Sequence, residues 1–385
     1  IFGNANEDDT INMEDVECTE RIILGLNDHT QLADAKYDNR INMQDVTQIE
    51  LIILRREKEL TILDSANRIV TVKKPVERII ALTYPDAEAI KIVKAGEKIV
   101  GISEDIKMRN VFYPELSKLP SVGVTSNPDL EKIIELNSDI VFTGKLKSMG
   151  DVLENNLPDT IAVTCWDMGR LEVMIKNIQM LGYVFDKGTE AEQFCNFYQE
   201  YIDEMIKGKV SELSDDDKQR VYFEHIEDYK AFTTGSSGHE VCAAAGGINI
   251  AADLAKSSEK PIVQVDQEWL IEQNPDVIIK TVRCKSGLCG YEENNSEEMN
   301  ILRDSIMNRP GWESMTAVKN NRVYLIDMDL IGSTANFVGA TYVAKWLYPD
   351  IFEHLDPQAF HQQYLIDFQQ LDYDLSEQGV FICPD

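Results

Sequence analysis

The chain has 385 residues, 43% of them apolar and 8% aromatic, enough for sizeable cores in two or three domains. Its 37 Lys and Arg face 67 Asp and Glu, a formal net charge of −30. That balance argues against a nucleic-acid partner, which needs positive charge, and against attraction to anionic lipid. No uncharged apolar run reaches the ~18 residues that a membrane span needs. The chain starts at Ile1 without a basic and then apolar leader, so either an export signal has been removed or the N-terminus is cut. Seven cysteines are an odd, sparse set without a CxxC pair. Cys284 and Cys289 are close enough to staple a loop, or else stay as thiols. Cys18, Cys165, Cys195 and Cys242 lie in apolar patterns and read as small core residues.

The first sixty residues repeat. Thr10-Ile-Asn-Met-Glu-Asp-Val16 is echoed by Arg40-Ile-Asn-Met-Gln-Asp-Val46, and Ile22-Ile-Leu24 by Ile52-Ile-Leu54. Each unit is a polar loop followed by an amphipathic helix. A calcium loop needs oxygen donors at its first, third, fifth, seventh (backbone), ninth and twelfth positions. The first loop places Asn4, Asn6, Asp8, Thr10, Asn12 and Asp15 there. The second places Asp34, Lys36, Asp38, Arg40, Asn42 and Asp45. The sixth position, normally Gly for a left-handed turn, is Asp9 and Asn39, which tolerate that turn best after Gly. Ile11 and Ile41, at the eighth, are placed to pair the loops and face the core. Affinity follows ligand charge and number, so weak sites are expected, and Lys36 makes the second loop the weaker. The alternative is two acidic loops that cap helices without metal.

This spacing over about residues 3–57 resembles a dockerin, a small all-α module with two F-hand-like calcium loops that end in Asp. The resemblance implies Ca2+ as the structural ion and a cohesin domain as partner. It also implies partner contact through the tenth and eleventh loop positions, Met13-Glu14 and Met43-Gln44. Many dockerins carry hydroxyl pairs there.

From Leu60 the pattern becomes α/β. A hairpin spans residues 60–74, with its turn at Ser65-Ala-Asn67. Strand 78–82, helix 86–95, strand 99–102, helix 129–136, strand 139–142 and strand 160–164 follow. This alternation predicts a parallel sheet. Helix 171–182 precedes a long helix from Gly188 to about Leu213, with Phe194, Phe197, Tyr201, Met205 and Ile206 at helical spacing. A second series then runs through strand 220–223, helix 238–245, helix 267–273, strand 276–280, strand 322–326, helix 336–346 and helix 357–370. The two series share a motif: Asp129-Leu-Glu131-Lys-Ile-Ile-Glu135-Leu-Asn137-Ser-Asp139 matches Asp266-Gln-Glu268-Trp-Leu-Ile-Glu272-Gln-Asn274-Pro-Asp276.

Val76-Glu-Arg-Ile-Ile-Ala-Leu82, Leu119-Pro-Ser-Val-Gly123, the paired motif, Ala245-Gly-Gly-Ile-Asn249 and the run from Pro310-Gly-Trp to Arg322-Val-Tyr324 carry a second resemblance. In order and spacing they are similar to the cluster III substrate-binding proteins of ABC importers for iron complexes and cobalamin. That likeness implies two Rossmann-like lobes joined by a long helix, with a ligand cleft between them. It implies a permease that Glu131 and Glu268 dock onto through its Arg pockets. Taken alone, each Glu reads as a first-turn carboxylate favoured by the helix dipole.

The expected organisation is a dockerin at 1–59, a first lobe at 60–186, a linking helix at 187–213 and a second lobe at 214–385. Ligands of open α/β sheets sit where strands end. That selects Tyr84, Lys145 and Trp166 in the first lobe and His225, Arg283 and Asn336 in the second. Tyr84 and Trp166 would stack on a flat ligand, while Lys145 and Arg283 would meet an anionic one. Gly332-Ser-Thr-Ala-Asn336 stands where members of the class often carry Gly-Pro-Arg. The five His lack zinc spacing, and His354 and His361 read as surface residues. There is no P-loop, GxGxxG or GxSxG. The reading is a non-enzymatic, extracellular or cell-surface binding protein without a catalytic cofactor. It acts as a monomer on a small metal chelate such as an iron-siderophore, haem or a corrinoid. The alternative is a dockerin-bearing surface enzyme such as a carbohydrate hydrolase, which would need paired carboxylates in a cleft.

Overall fold

The loop–helix repeat at the N-terminus forms because each helix is capped by its own loop. Asn12 precedes α1 (Met13–Ile23) and Asn42 precedes α2 (Met43–Ile53). Each Asn side chain accepts a backbone N–H of the first turn. Asp15 and Asp45 return the bond to the cap's own N–H, which satisfies donors that the helix leaves open. The helices pack together and bury Val16, Val46, Ile49 and Ile52 with Phe2. Asp9 and Asn39 are left-handed, with φ of 68° and 65°, as their loop position requires.

The structure is a computed structural model that describes residues 1–254, 261–283 and 287–384. It divides into two compact units, Ile1–Met168 with Lys176–Phe194, and Gly169–Ile175 with Cys195–Asp385.

In the first unit, β1 (Glu59–Leu63) and β2 (Ile69–Lys73) make an antiparallel hairpin with Thr61 opposite Thr71, the hydroxyls 3.0 Å apart. Four parallel strands follow: β3 (Ile79–Ala81), β4 (Ile99–Ile102), β5 (Ile140–Phe142) and β6 (Ala162–Thr164), in the order β4-β3-β5-β6. Helices α3 (Tyr84–Ile92), α4 (Leu130–Glu135) and α5 (Lys147–Asn156) connect them. Ile80, Leu82, Val122, Ile133, Val141, Leu153 and Val163 form one core. At about 25 cal/mol per Å2 of apolar area, burying these side chains is the main term holding the layers together.

Helix α6 (Leu171–Phe185) contacts the N-terminal repeat. Tyr183 accepts the N–H of Ile11 at 2.8 Å, and Lys176 pairs with Asp9 at 2.7 Å. Ile11 therefore gives its N–H to the helix hydroxyl and not to the opposite loop. Beside this contact the buried Lys74 joins Glu57, at 2.8 Å, to Asp186. Helix α7 (Gly188–Gln199) continues through Glu200–Lys207 in π geometry and ends at Val210. The periodicity predicts this length of helix; nothing in it marks the change of winding.

The second unit holds a mixed sheet. Its strands are β7 (Arg220–Glu224), β8 (Lys230–Phe232), β9 (Ile248–Asn249), β10 (Ile262–Gln264), β11 (Val277–Val282), β12 (Val323–Asp327) and β13 (Ile382–Cys383). The order is β10-β8-β7-β11-β12-β13, and β9 pairs with β7. The centre β7-β11-β12 is parallel, as the alternation predicts, while β8, β10 and β13 add antiparallel edges too short to show a pattern. Helices α8 (Ser237–Ala244), α9 (Gln267–Gln273), α10 (Glu297–Met307), α11 (Asn336–Leu347) and α12 (Pro357–Asp367) complete it.

The duplicated motif has the same geometry in both units. Asn137 and Asn274 end their helices left-handed, at φ 47° and 45°. Asp139 then accepts the N–H of Arg78, and Asp276 that of Arg220, each anchoring one strand start to the next. Arg78 and Arg220 reach back to the carbonyls that end the preceding helices, at Leu136 and Gln273.

Candidate functional site

The strand interiors are closed to chemistry. Every residue of β3, β5 and β11 is buried. Polar side chains gather where the parallel strands end.

In the first unit, Thr83 caps α3, and its hydroxyl donates to Asp86 at 2.7 Å. Gly144, after β5, donates its N–H to the same carboxylate oxygen at 2.8 Å. Gly144 has φ +70°, and a Cβ there would stand 2.8 Å from the Thr83 methyl, so the close approach needs glycine. The other oxygen, Oδ1, is buried without a hydrogen-bond partner among the described residues. Burial pushes the Asp86 carboxyl up to about 7, with nearby Asp167 adding to the rise. Above this acid, Arg109 lies over the Tyr84 ring, 3.9 Å from its centroid, and Lys145 stands 3.6 Å from Asp167. Tyr84 and Lys145 therefore stand just past the ends of β3 and β5. Trp166 is not available: it is 1% exposed, stacked on Phe142, with its N–H given to Thr164. The expectation of a stacking face is corrected, because the ring fills the core under β5 and β6.

In the second unit a buried ionic cluster sets the end of β7. Glu224 and Lys280 are nearly inaccessible and bond at 3.1 Å. Arg309 grips Glu224 with bonds of 2.9 and 3.2 Å and reaches Asp228 at 2.7 Å, its guanidinium lying over Tyr229 and Trp312. Lys280 also bonds the carbonyl of His225, which fixes that residue at the strand end. Desolvation lowers the His225 imidazole to about 4, helped by Arg283, Lys230 and Lys280. It is thus neutral near pH 7, and its Nδ1 is buried without a hydrogen-bond partner among the described residues. Asn336, at the start of α11, is fully buried, and both its amide atoms lack hydrogen-bond partners in the same way. Arg283 is exposed just beyond β11.

Sequence reasoning takes Asp86 only as the start of a helix, and it passes over Arg109 and the pairing of Glu224 with Lys280 and Arg309. Pairing of Glu224 with Arg309 across 85 residues leaves no local signal. His361 is likewise corrected: it is 1% exposed and hydrogen-bonded to the Tyr291 hydroxyl. Cys289 is buried, while Cys284, the other half of the suggested staple, lies outside the described residues. Cys165, Cys195 and Cys242 are core residues.

In the N-terminal loops, Asp15 accepts the N–H groups of Asn6 and Asn12, and Asp45 those of Lys36 and Asn42. Asn4 and Asn6 accept the N–H of Asp8, and Asp8 that of Thr10. Asp34 holds Asp38 and Asn39, and Asp38 holds Arg40. Asp15 and Asp45 are fully buried, and desolvation first raises both carboxyls, with Asp8 raising one and Asp34 and Asp38 the other. Carboxylates that raise one another in this way are stabilised by a nearby cation. Among the described residues, however, no group of three His, Cys, Asp or Glu side chains forms a metal cluster. The Asn side chains and the Thr10 and Arg40 carbonyls would have to complete each set.

Met13, Glu14, Met43 and Gln44 are exposed, as are Glu131 and Glu268, each beside an Asp that caps its helix. No described helix is long and apolar enough to cross a membrane.

The sequence profile of the periplasmic binding protein family matches residues 79–330. An uncharacterised ABC transporter substrate-binding lipoprotein of Bacillus subtilis, YvrC, is 27% identical over 76% of this chain and 87% of its own. The molybdate-binding protein MolA of Haemophilus influenzae is 22% identical over 81% of this chain and 91% of its own. The structure of MolA with molybdate superposes with a TM-score of 0.64, over 82% of this chain and 99% of that one at 19% identity. IsdE of Staphylococcus aureus, a protein of a high-affinity heme uptake system, is 24% identical over 76% of this chain and 93% of its own.

Asp86 gives a pH signature. Between its ordinary value of 3.8 and about 7 the native state keeps a proton that the unfolded chain has lost. Stability therefore falls as pH rises through that window, by on the order of 4 kcal/mol in all. Asp86→Asn should remove this dependence, so that its urea midpoint gains on the wild type between pH 4.5 and pH 8. A difference between the two proteins that does not change with pH would contradict the assignment.

Proposed function

This chain belongs to the periplasmic binding protein family, and we propose that it is the exported or cell-surface substrate-binding subunit of an ABC importer for a small anionic metal chelate. Membership in a family of solute-binding proteins overturns the alternative of a carbohydrate hydrolase. One observation carries the choice of cargo. In a chain of net charge −30, cations gather past the parallel strands of each unit: in the first, Arg109 over the Tyr84 ring and Lys145 after β5; in the second, Arg283 after β11, with the neutral His225, whose Nδ1 can accept a hydrogen bond or bind a metal. Cations with a flat aromatic face and an unshared imidazole nitrogen suit a ferric siderophore or haem; a corrinoid, whose side chains are amides, would use the ring face and the imidazole alone. The haem uptake protein IsdE among the relatives agrees with this class, while MolA makes molybdate the competing cargo. Glu131 and Glu268, one on each unit at the same turn of the duplicated motif, suit Arg pockets of a permease.

The purified chain, titrated by calorimetry with haemin, a ferric siderophore, cobinamide and molybdate, should bind one chelate with micromolar Kd or better. Arg283→Ala should weaken that binding about tenfold, which corresponds to ~1.4 kcal/mol. Binding of molybdate alone, or of none of the four, would overturn the cargo assignment.

The N-terminal repeat serves attachment in this reading, as a dockerin-like module ordered by Ca2+ that binds a cohesin. The specific support is apolar surface. Of the eighteen large apolar side chains exposed among the described residues, seven lie within the first 57: Met13, Ile23, Leu24, Leu26, Tyr37, Met43 and Leu54. Apolar side chains exposed at this density are what a protein partner would cover. Removing calcium with EDTA should raise hydrogen exchange across residues 4–15 and 34–45 and abolish capture by immobilised cohesins. Exchange and capture that are both indifferent to EDTA would contradict this role.

A further inference from the structure

The second unit has a large groove that the cargo site does not use. It lies at the other end of the same elements. Cargo residues stand at the C-terminal ends of β7 and β11 and at the start of α11. The groove is lined by Tyr324, early in β12, and by Tyr342 and Trp346, late in α11. The segments 349–358 and 375–384 form its walls, and its volume is about 1340 Å3. None of Tyr84, Lys145, His225, Arg283 or Asn336 lines it.

Its floor is aromatic and partly open. Tyr324 and Trp346 stack at 4.5 Å with their planes 8° apart, and Tyr342 lies 6.0 Å from Trp346. All three rings are half-buried. The two cations that line the groove are already committed to carbonyls. Arg322 bonds those of Trp346 and Leu347 at 2.9 and 3.0 Å, and Lys345 bonds that of Leu355 at 2.6 Å. The exposed charges that remain are acidic, Asp217, Asp350, Asp356 and Glu377, with the amide of Gln378 beside them.

These features select a ligand class. An anion would meet the carboxylates without a cation to answer them. A wholly apolar ligand would strip water from acids that it cannot hydrogen-bond, at ~1–3 kcal/mol for each group. A saccharide satisfies both constraints. The C–H face of the ring lies on an aromatic plane, and its hydroxyls donate to carboxylates and amide oxygens. The volume exceeds the ~300–1,000 Å3 typical of single small-ligand sites, so a chain of several sugar rings fits better than one. We propose that this groove is a saccharide-binding site. The protein would then hold a polysaccharide surface at a place separate from its cargo.

The test uses the intact chain and a panel of hexasaccharides: β-1,4-linked glucose, xylose and N-acetylglucosamine, and α-1,4-linked glucose. At least one should bind by calorimetry and shift tryptophan emission. Trp346→Ala should weaken that binding at least tenfold while chelate binding stays unchanged, so this inference fails separately from the cargo assignment. Trp346→Phe, which keeps a ring face, should retain binding within a few fold. Tyr342→Ala should weaken it in the same direction, and this variant serves if Trp346→Ala does not fold. No binding of any hexasaccharide at about 5 mM, where even a weak site of ~−3 kcal/mol would register, overturns the proposal. So does binding that survives Trp346→Ala or, where that variant does not fold, Tyr342→Ala.

Discussion

Parallel strands buried on both faces leave no room for chemistry along their length. In β3, β5 and β11 each peptide group is consumed by a neighbouring strand and each side chain by a core. Polar groups are displaced to the places where strands stop: Thr83, Gly144, His225 and Arg283 follow strands, Asp86 stands in the first turn of α3, and Asn336 opens α11. Lys280 shows what an exception costs. Its ammonium lies inside β11, and it is tolerated because Glu224, Asp228 and the His225 carbonyl all answer it. Removing one partner of a buried pair typically costs ~3–5 kcal/mol. The cluster therefore holds His225 in place.

Two kinds of polar burial follow from this constraint, and they mean different things. Glu224, Lys280 and Arg309 satisfy one another and fix a strand end. Asp86 Oδ1, His225 Nδ1 and both amide atoms of Asn336 are buried without hydrogen bonds among the described residues. A buried polar atom left unsatisfied costs ~1–3 kcal/mol, a cost that a water molecule or a ligand can remove. In the proposed reading, these are the atoms that a bound solute would complete.

Much of this was legible in the sequence where the signal is local. The capping boxes at Asn12 and Asn42, the left-handed Asp9 and Asn39, the central strands and the duplicated Asn-x-Asp turn depend on residues a few positions apart. Tyr84 and His225 could be placed because strand ends can be placed. The failures share a cause. Trp166 follows a strand and looked free, but Phe142, on the neighbouring strand, claims its face. His361, in the C-terminal helix, reads as a surface residue, but Tyr291, seventy residues earlier, takes its ring nitrogen. The edges β8, β10 and β13 are too short to carry periodicity. Each miss is a contact between distant segments, which no window of sequence displays. The N-terminal repeat adds one more: Ile11, read as placed to pair the loops and face the core, is buried but gives its N–H to Tyr183.

A protein whose strand ends hold unmet hydrogen-bonding atoms beside cations should not leave its host empty. Native mass spectrometry of the chain purified from that host, without denaturation, weighs whatever it keeps. The account predicts a stoichiometric adduct with the isotope pattern of an iron or cobalt chelate, lost when the protein is unfolded. A bare polypeptide mass that stays bare after incubation with the host's own growth medium would contradict it.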